Sequence, residues 1–411
     1  MFGQDYAINS AVIKVMGVGG GGCNAVNSMI ESNLSSAEFI AVNTDNQALL
    51  LSKANKTLQI GAKLTKGLGA GSDPNVGEAA AEESKDDIAA LLQGTDLLFI
   101  ASGMGGGTGT GAASVIARIA REMGILTVAV VTKPFSFEGK VRNENANKGI
   151  VNLKKYVDTL VIIPNDKLLQ YLPAQTGMLD AFKVADDMLK QGIVGIVDLI
   201  ATPSLINLDF ADVNTVMRNQ GLAHMGIGRA KGENRVIESV RQAVSSPLLE
   251  TTIEGARSVI LNVTGGKDLM LNEVNEAAVL VQGIIDDQAN IIFGATIDEN
   301  MVDEVKITVI ATGFSAAKEE RVEAEVKPAL QFSNASEKQQ AQESAVPPLL
   351  REIEENERRA QAAAVEQPQA PVEEVKTPDP VIAKMEEELA SEPEQKKGKE
   401  LPAFMRKLFR K

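Results

Sequence analysis

The fold is decided by the stretch Gly103-Met104-Gly105-Gly106-Gly107-Thr108-Gly109-Thr110-Gly111. An apolar run at 96–101 precedes it, and a helical pattern at 112–123 follows it. Glycines at this density let the backbone wrap closely around a ligand and point successive N–H groups at it. The two threonines add hydroxyl donors, and the helix behind adds the positive end of its dipole. The stretch therefore predicts a phosphate-binding loop between a buried strand and a helix.

A second glycine motif, Gly17-Val18-Gly19-Gly20-Gly21-Gly22, satisfies G-x-G-x-x-G between an apolar run at 11–18 and a helical stretch at 24–32. Asp45 lies 23 residues beyond it, which is the spacing of a dinucleotide-binding fingerprint. The alternative is a tight strand–helix turn without a ligand. Two such loops at one crevice favour a triphosphate, and the lack of a G-x-x-x-x-G-K-[ST] motif disfavours a P-loop ATPase. With no lysine in either loop, backbone dipoles and a cation, Mg²⁺ by preference, must meet the phosphate charge.

Further apolar strands without alternation are separated by helical patterns along the first 315 residues. This arrangement predicts a parallel sheet that is covered on both faces and binds ligands at the carboxyl ends of its strands. We therefore predict an α/β protein. Its expected parts are a Rossmann-like parallel-sheet domain (1–177), a long central helix (178–202) and a smaller α/β domain (203–315).

Glycine content and charge divide the chain into three segments, 1–315, 316–400 and 401–411. Residues 1–315 hold 34 of the 35 glycines and a net charge of −10, whereas 316–400 carry −8 and 401–411 carry +4, which together give −14. The acidic, Pro- and Gln-rich segment 316–400 cannot bury enough apolar surface to fold, and we predict a disordered linker. The apolar, basic end at 401–411 is interpreted as a binding peptide, with a random basic terminus as the alternative. The acid excess disfavours a nucleic-acid binder.

The chain has one cysteine and one histidine. These counts exclude a disulfide framework and a thiolate metal cluster, and they make a Ser-His-Asp triad improbable. We interpret Cys23 as a small space-filling residue and His224 as structural, because neither has a catalytic partner nearby in sequence. The N-terminus lacks the pattern of a signal peptide, so we expect a cytoplasmic protein.

Seven residues of the deciding stretch, 105–111, match the signature of the tubulin/FtsZ superfamily, and the chain resembles the FtsZ family from about residue 10 to 315. The resemblance also rests on the segments 19–24, 43–45, 68–71, 133–135, 137–139 and 207–212, and on Arg142. It resumes at 402–406, which is similar to the family's terminal adaptor-binding peptide. The resemblance implies that the first domain is a GTPase domain.

The family's nucleotide contacts carry over to matching positions. The resemblance implies that the glycine loops hold the three phosphates, the 43–45 and 70–71 segments lie near the γ-phosphate and its cation, and the remaining residues contact the ribose and base. The implied nucleotide-binding residues are Gly20, Gly21, Gly22, Asn24, Asn43, Asp45, Ala70, Gly71, Gly103, Gly105, Gly106, Gly107, Thr108, Gly109, Thr110, Gly111, Pro134, Glu138, Arg142, Asn165, Phe182 and Asp186.

Base recognition is implied for three of these residues. Phe182 is expected to stack on the base, while Asn165 and Asp186 face its edge. Guanine presents adjacent N1–H and N2–H donors that one carboxylate accepts, and adenine offers no such pair. Without the resemblance, Phe182 and Asp186 fit an ordinary core residue and a solvated helix face.

Asp209 and Asp212 have two interpretations. Their spacing of three residues is typical of a helix N-cap. The resemblance instead implies that Asn207, Asp209 and Asp212 belong to a loop that enters the next subunit's nucleotide site and polarises the attacking water. Such a head-to-tail contact does not close on itself, so the expected product is a filament.

The sequence thus predicts a GTP-dependent, self-assembling GTPase of bacterial cytokinesis, located beneath the membrane at the division site. The expected ligands are GTP or GDP, Mg²⁺ and a monovalent cation. The expected partners are copies of the same chain and membrane-tethering and regulatory division proteins, so that membrane contact is mainly indirect. The adaptor-binding residues would be Pro402, Phe404, Met405, Arg406 and Leu408. The alternatives are an NAD-dependent oxidoreductase and a filament scaffold that binds nucleotide without hydrolysing it.

Overall fold

A computed structural model describes residues 11–314 of the chain, apart from 33–35, 170–172, 174, 202–203, 207 and 247–251. The predicted linker at 316–400, the predicted peptide at 401–411 and Asn207 lie outside the described residues.

Ten strands form one mixed sheet in the described part of the chain, in the order β3-β2-β1-β4-β5-β6-β7-β10-β8-β9. Strands β1 to β7 are parallel, β10 is antiparallel to both of its neighbours, and β8 is parallel to β9. The strands are β1 (Ile13–Val18), β2 (Glu38–Asn43), β3 (Lys56–Gln59), β4 (Leu97–Gly103), β5 (Leu126–Lys133), β6 (Thr159–Pro164), β7 (Gly221–Lys231), β8 (Ser258–Gly265), β9 (Asn290–Ile297) and β10 (Glu304–Thr312).

The helices connect these strands and cover both faces of the sheet. They are α1 (Gly19–Glu31), α2 (Asn46–Leu50), α3 (Ala62–Thr65), α4 (Pro74–Glu83), α5 (Lys85–Leu92), α6 (Thr108–Glu122), α7 (Lys140–Lys154), α8 (Asn165–Leu168), α9 (Met178–Ala201), α10 (Phe210–Met217), α11 (Arg235–Val244) and α12 (Leu271–Gln282), with a 3₁₀ turn at Ser136–Glu138.

The central strands are buried along their whole length, as their apolar sequences predict. All six residues of β1 are buried. One apolar core covers one face of the parallel strands, and a second core on the other face combines residues of β1 and α9 with Ile260 of β8 and Ile310 of β10. The two predicted α/β domains therefore share part of a core, and β7 continues the sheet from one to the other. The predicted domain boundaries remain a prediction.

The predicted α/β class is confirmed, and the long helix is observed as α9, whose 24 residues span about 36 Å. Two helices begin earlier than the sequence indicates, because α1 and α6 already include the last residues of the glycine motifs. Packing explains one glycine of α1. A Cβ atom at Gly22 would lie 2.3 Å from the carbonyl oxygen of Ala101 in β4, so only glycine allows this approach.

Candidate active site

Five parallel strands end at one edge of the sheet, and a predicted site residue stands at each end. Gly20 lies two residues beyond β1, Asn43 ends β2, Gly103 ends β4, Pro134 follows β5 and Asn165 follows β6. The carboxyl edge of a parallel sheet is where such folds bind ligands. The structure thus brings the predicted nucleotide-binding segments together from positions far apart in the sequence.

The two glycine loops touch each other. Gly19 has a φ of 73°, and a Cβ atom there would lie 2.8 Å from the backbone nitrogen of Gly109. A Cβ atom at Gly21 would lie 3.5 Å from the Cα atom of Gly103. Gly20 and Gly106, in contrast, have no heavy atom within 4 Å of such a position, so they border open space. The loops form one backbone surface with room beside it.

Helices α1 and α6 start within these loops. The first N–H groups of a helix have no partner inside the helix, and the dipole makes this end positive. Both features favour an anion at this position. The signature loop is also fixed internally, because the Thr110 hydroxyl accepts a hydrogen bond of 2.8 Å from the Gly105 N–H. Thr110 is 3 % exposed, so this hydroxyl supports the loop from inside.

A tight loop at 66–72 lies against the signature loop. Lys66, Gly67, Gly69, Gly71 and Ser72 have φ angles between 53° and 86°, so most of this segment is left-handed. It contacts the signature loop because a Cβ atom at position 107 would lie 2.8 Å from the Ala70 Cβ atom. Segment 70–71 is thus adjacent to the proposed phosphate surface.

The end of β2 lies beside the same loop. Asn43 is 4 % exposed, and its side-chain oxygen accepts a 3.3 Å hydrogen bond from the Asp45 N–H. Asp45 caps α2, accepting hydrogen bonds from the N–H groups of Gln47 and Ala48 at 2.9 and 3.3 Å. A β-bridge joins it to Leu68. These two side chains therefore shape the loop, and their predicted contact with the γ-phosphate remains a prediction.

Glu138 and Arg142 form an ion pair of 3.2 Å next to the signature loop. The Glu138 side chain is 10 % exposed and also accepts a 2.9 Å hydrogen bond from the Phe135 N–H. Arg142 is half exposed, and its backbone oxygen lies 2.7 Å from a Cβ position on Gly105. The predicted ribose-side residues are thus adjacent to the glycine loop.

Phe182 belongs to an aromatic cluster. Its ring meets Phe135 edge-on at 5.5 Å and Phe137 at 6.4 Å between centroids. Phe135 and Phe137 stack on each other at 5.0 Å, and Phe137 is 59 % exposed. No local sequence pattern indicates that Phe135 and Phe137 join Phe182, although both residues flank Ser136 in the segments that match the family.

Asn165 and Asp186, which are predicted to face the edge of the base, both lie in environments that penalise an unpaired polar group. Asn165 is 5 % exposed, and its side-chain oxygen has no hydrogen-bond partner among the described residues. Burial, followed by the charge of neighbouring Asp187, raises the pKa of Asp186 to about 7. Asp187 instead pairs with Lys190 at 2.6 Å and accepts a 3.3 Å hydrogen bond from Ser28. Unmet hydrogen-bonding capacity of this kind is what a polar ligand satisfies.

Asp209 and Asp212 form the helix N-cap that their spacing predicts. An Asp209 oxygen accepts a 2.8 Å hydrogen bond from the Asp212 N–H, and an Asp212 oxygen accepts a 3.3 Å one from the Asp209 N–H. The C-terminal end of helix α10 lies at the amino edge of the parallel strands, because the Thr159 hydroxyl at the start of β6 donates to the carbonyl of Met217, the last residue of α10. Within one chain these acids are therefore not brought to the glycine loops.

Cys23 and His224 fit their predicted structural roles. Cys23 is 3 % exposed, and burial raises the pKa of its thiol to about 12, which keeps it unreactive. The buried His224 ring lies edge-on to Phe314, with 4.6 Å between centroids. Within residues 11–314 as described, no group of three His, Cys, Asp or Glu side chains is arranged to hold a metal ion. No helix among the described ones has the length and apolarity that a membrane crossing requires.

Family profiles match both halves of the described chain. The GTPase domain of the tubulin/FtsZ family matches residues 12–173, and the C-terminal domain of the FtsZ family matches residues 221–315. The chain is similar to an empty FtsZ dimer structure from M. jannaschii, with 48 % identity and a TM-score of 0.70 over 74 % of this chain and 88 % of that one. CetZ2 from Haloferax volcanii, solved as a GTPγS-bound protofilament, is similar in fold, with 20 % identity and a TM-score of 0.65 over 76 % of this chain and 97 % of that one.

Proposed function

This chain belongs to the tubulin/FtsZ GTPase family, and from that premise we propose that it hydrolyses GTP while assembling head to tail into filaments. The observation that carries the proposal is the pair of touching glycine loops at the carboxyl edge of the sheet. An oxidoreductase is not favoured, because a single such loop serves a dinucleotide.

We propose that the base is guanine. The Asn165 side-chain oxygen and the partly buried Asp186 carboxyl can both accept hydrogen bonds, and guanine supplies donors at N1 and N2. Adenine would leave a partly buried carboxylate unpaired, which is costly. Phe182 would turn its face toward the base while its edge stays on the Phe135–Phe137 pair.

We propose that hydrolysis needs a second copy of the chain. Asp209 and Asp212 begin helix α10, whose C-terminal end lies at the amino edge of the sheet, and the glycine loops are at the carboxyl edge. Head-to-tail stacking brings one edge against the other. Exposed apolar side chains support such a contact, since Leu68 beside the phosphate loop is 85 % exposed and Leu205 before α10 is 77 % exposed.

Mg²⁺ fits this site as a partner of the nucleotide. Mg²⁺ prefers oxygen ligands and keeps several waters, and it usually reaches a protein through substrate phosphates. The side chains that would hold the ion are those of Asn43 and Asp45, at the end of β2 beside the loop 66–72. When bound, the ion would neutralise developing phosphate charge, while the loop N–H groups hold the phosphates in place.

Sedimentation with GTP, GDP or NAD, with phosphate release measured in the same tubes, tests the proposal. We expect pelleting and phosphate release with GTP alone, and a release rate that rises more steeply than linearly with protein concentration, because the active site forms between subunits. Pelleting without phosphate would favour a non-hydrolysing scaffold. A rate strictly proportional to concentration would contradict the shared active site.

We further propose that residues 401–411 attach the filament to membrane-tethering adaptors at the division site. Phe404, Met405 and Leu408 share one face if the segment becomes helical on binding, and Arg406 adds charge. Deleting 401–411 should leave GTP-dependent pelleting within about twofold of the full chain and abolish recruitment to adaptor-bearing vesicles. Replacing only the four basic residues with glutamine is the matched control for charge. Recruitment of the truncated chain would contradict the assignment.

A further inference from the structure

We propose that Thr44 is a positioning residue for GTP hydrolysis, whose hydroxyl donates to Thr108 and thereby directs the Thr108 proton toward the phosphates. The proposal rests on the proposed function, because it assumes a nucleotide at the glycine loops. The observation that supports it is a buried contact between two hydroxyl groups. The Thr44 and Thr108 Oγ1 atoms lie 2.7 Å apart, and the residues are 0 % and 9 % exposed.

The backbone around Thr44 is fixed from both sides. Its carbonyl accepts hydrogen bonds of 3.3 Å from the Gly69 N–H and from the Thr65 hydroxyl. The preceding carbonyl, that of Asn43, accepts a 3.0 Å bond from the Ile60 N–H, and the following residue, Asp45, is bridged to Leu68. The Thr44 hydroxyl is therefore held in place before any ligand binds.

The direction of the proton decides what Thr108 can do. Each hydroxyl has one proton to donate and two lone pairs. If Thr108 donated to Thr44, its proton would be used inside the protein. If Thr44 donates, the Thr108 proton is free for a phosphate oxygen. Thr44 has no exposed surface, so among the described residues Thr108 is the partner its own proton can reach.

A phosphate oxygen gains negative charge during hydrolysis, and a donor already aimed at it lowers the barrier without reorganising. Loss of the Thr44 hydroxyl leaves Thr108 present but free to rotate. Loss of the Thr44 hydroxyl should therefore lower kcat, while KM for GTP and the affinity for GDP change little. A purely structural role of Thr44 would instead lower the melting temperature without this selective loss.

The test compares Thr44→Val, which keeps the branched shape, with Thr44→Ser, which keeps the hydroxyl, in the full chain. We expect Thr44→Val to lower kcat about 3- to 10-fold and Thr44→Ser to stay within about twofold of the original. The double variant Thr44→Val/Thr108→Val should have the same kcat as Thr108→Val alone, because the two hydroxyl groups act as one pair. If Thr44→Val does not fold, Thr44→Ala enters the same comparison.

Thr127→Val is the matched control. Thr127 is also fully buried, and its hydroxyl donates to the Ile125 carbonyl at 3.0 Å, at the start of β5 and so at the opposite end of the strand from the glycine loops. The kcat of Thr127→Val should equal that of the unaltered chain. The proposal is overturned if Thr44→Ser is as slow as Thr44→Val, if the double variant is slower by the product of the single effects, or if Thr127→Val shows the same loss of kcat. Failure of the GTPase proposal itself is distinct, because the unaltered chain would then release no phosphate.

Discussion

Asp212→Asn is expected to lower GTP turnover by about 100-fold or more while leaving GTP binding intact, because it removes a negative charge that orients water in the neighbouring subunit's site. Asparagine preserves the N-terminal cap of α10, since its side-chain oxygen still accepts the 3.3 Å hydrogen bond from Asp209. Phosphate release and equilibrium binding of GTP, measured on the same preparation, separate the two effects.

Asp286→Asn is the matched control for this charge change. Asp286 also accepts a backbone hydrogen bond, from the Gln288 N–H at 2.9 Å, but it lies in the turn before β9 and not in the segment 207–212. Its turnover should equal that of the unaltered chain. Unchanged turnover in Asp212→Asn, with GTP bound, would rule out the proposed role.

A mixing experiment tests whether Asp212 acts on a neighbour. Gly106 borders open space, so Gly106→Val should fold but fill the room where phosphates are expected. Neither Gly106→Val nor Asp212→Asn should turn over GTP alone. When the two variants are mixed, GTP bound to Asp212→Asn lies against the intact Asp212 of a neighbouring Gly106→Val subunit. GTP turnover should therefore recover. No recovery, although both variants co-sediment, would mean that each chain uses its own Asp212.

Local patterns in the sequence were sufficient to predict the sheet edge that carries the site. Apolar strands followed by glycine motifs specify β1 and β4, and the three-residue spacing of Asp209 and Asp212 specifies a cap that the structure contains. These features depend on neighbours in the chain. The guanine assignment and the roles of individual residues in nucleotide binding depended on resemblance instead, since nothing local distinguishes Asp186 from a solvated helix residue.

Long-range packing explains what the sequence did not reveal. The hydroxyl pair of Thr44 and Thr108 joins residues 64 positions apart, which no local period encodes. Lys66 and Ser72 adopt left-handed backbone angles that sequence patterns assign to glycine. The continuity of the sheet through β7 depends on the pairing of 159–161 with 221–223, so it too could not be predicted from the two halves separately.

Asp186→Asn is expected to exchange nucleotide specificity. The carboxylate accepts from two adjacent guanine donors, whereas an amide donates where xanthine carries a carbonyl at C2. GTP affinity should fall about 10- to 100-fold, since hydrogen bonds to a charged group are lost, and affinity for xanthosine triphosphate should rise. Asp187→Asn is the matched control, because Asp187 is engaged by Lys190 and Ser28. If Asp187→Asn lowered GTP affinity more than Asp186→Asn, Asp187 and not Asp186 would be the carboxylate that binds guanine.

The raised pKa of Asp186 adds a pH signature to this exchange. Only the ionised carboxyl accepts both donors, and its pKa near 7 means that GTP affinity should rise about tenfold between pH 6 and pH 8. The free energy of unfolding of the nucleotide-free protein should change in the opposite direction and fall as pH rises. The folded chain retains a proton that the unfolded chain releases near pH 4, so Asp186 increasingly destabilises the nucleotide-free protein as pH rises from 4 to 7. Asp186→Asn should therefore raise the melting temperature at pH 8 but not at pH 4, and make GTP affinity independent of pH. A pH-dependent affinity that persists in Asp186→Asn would assign the titration to another group.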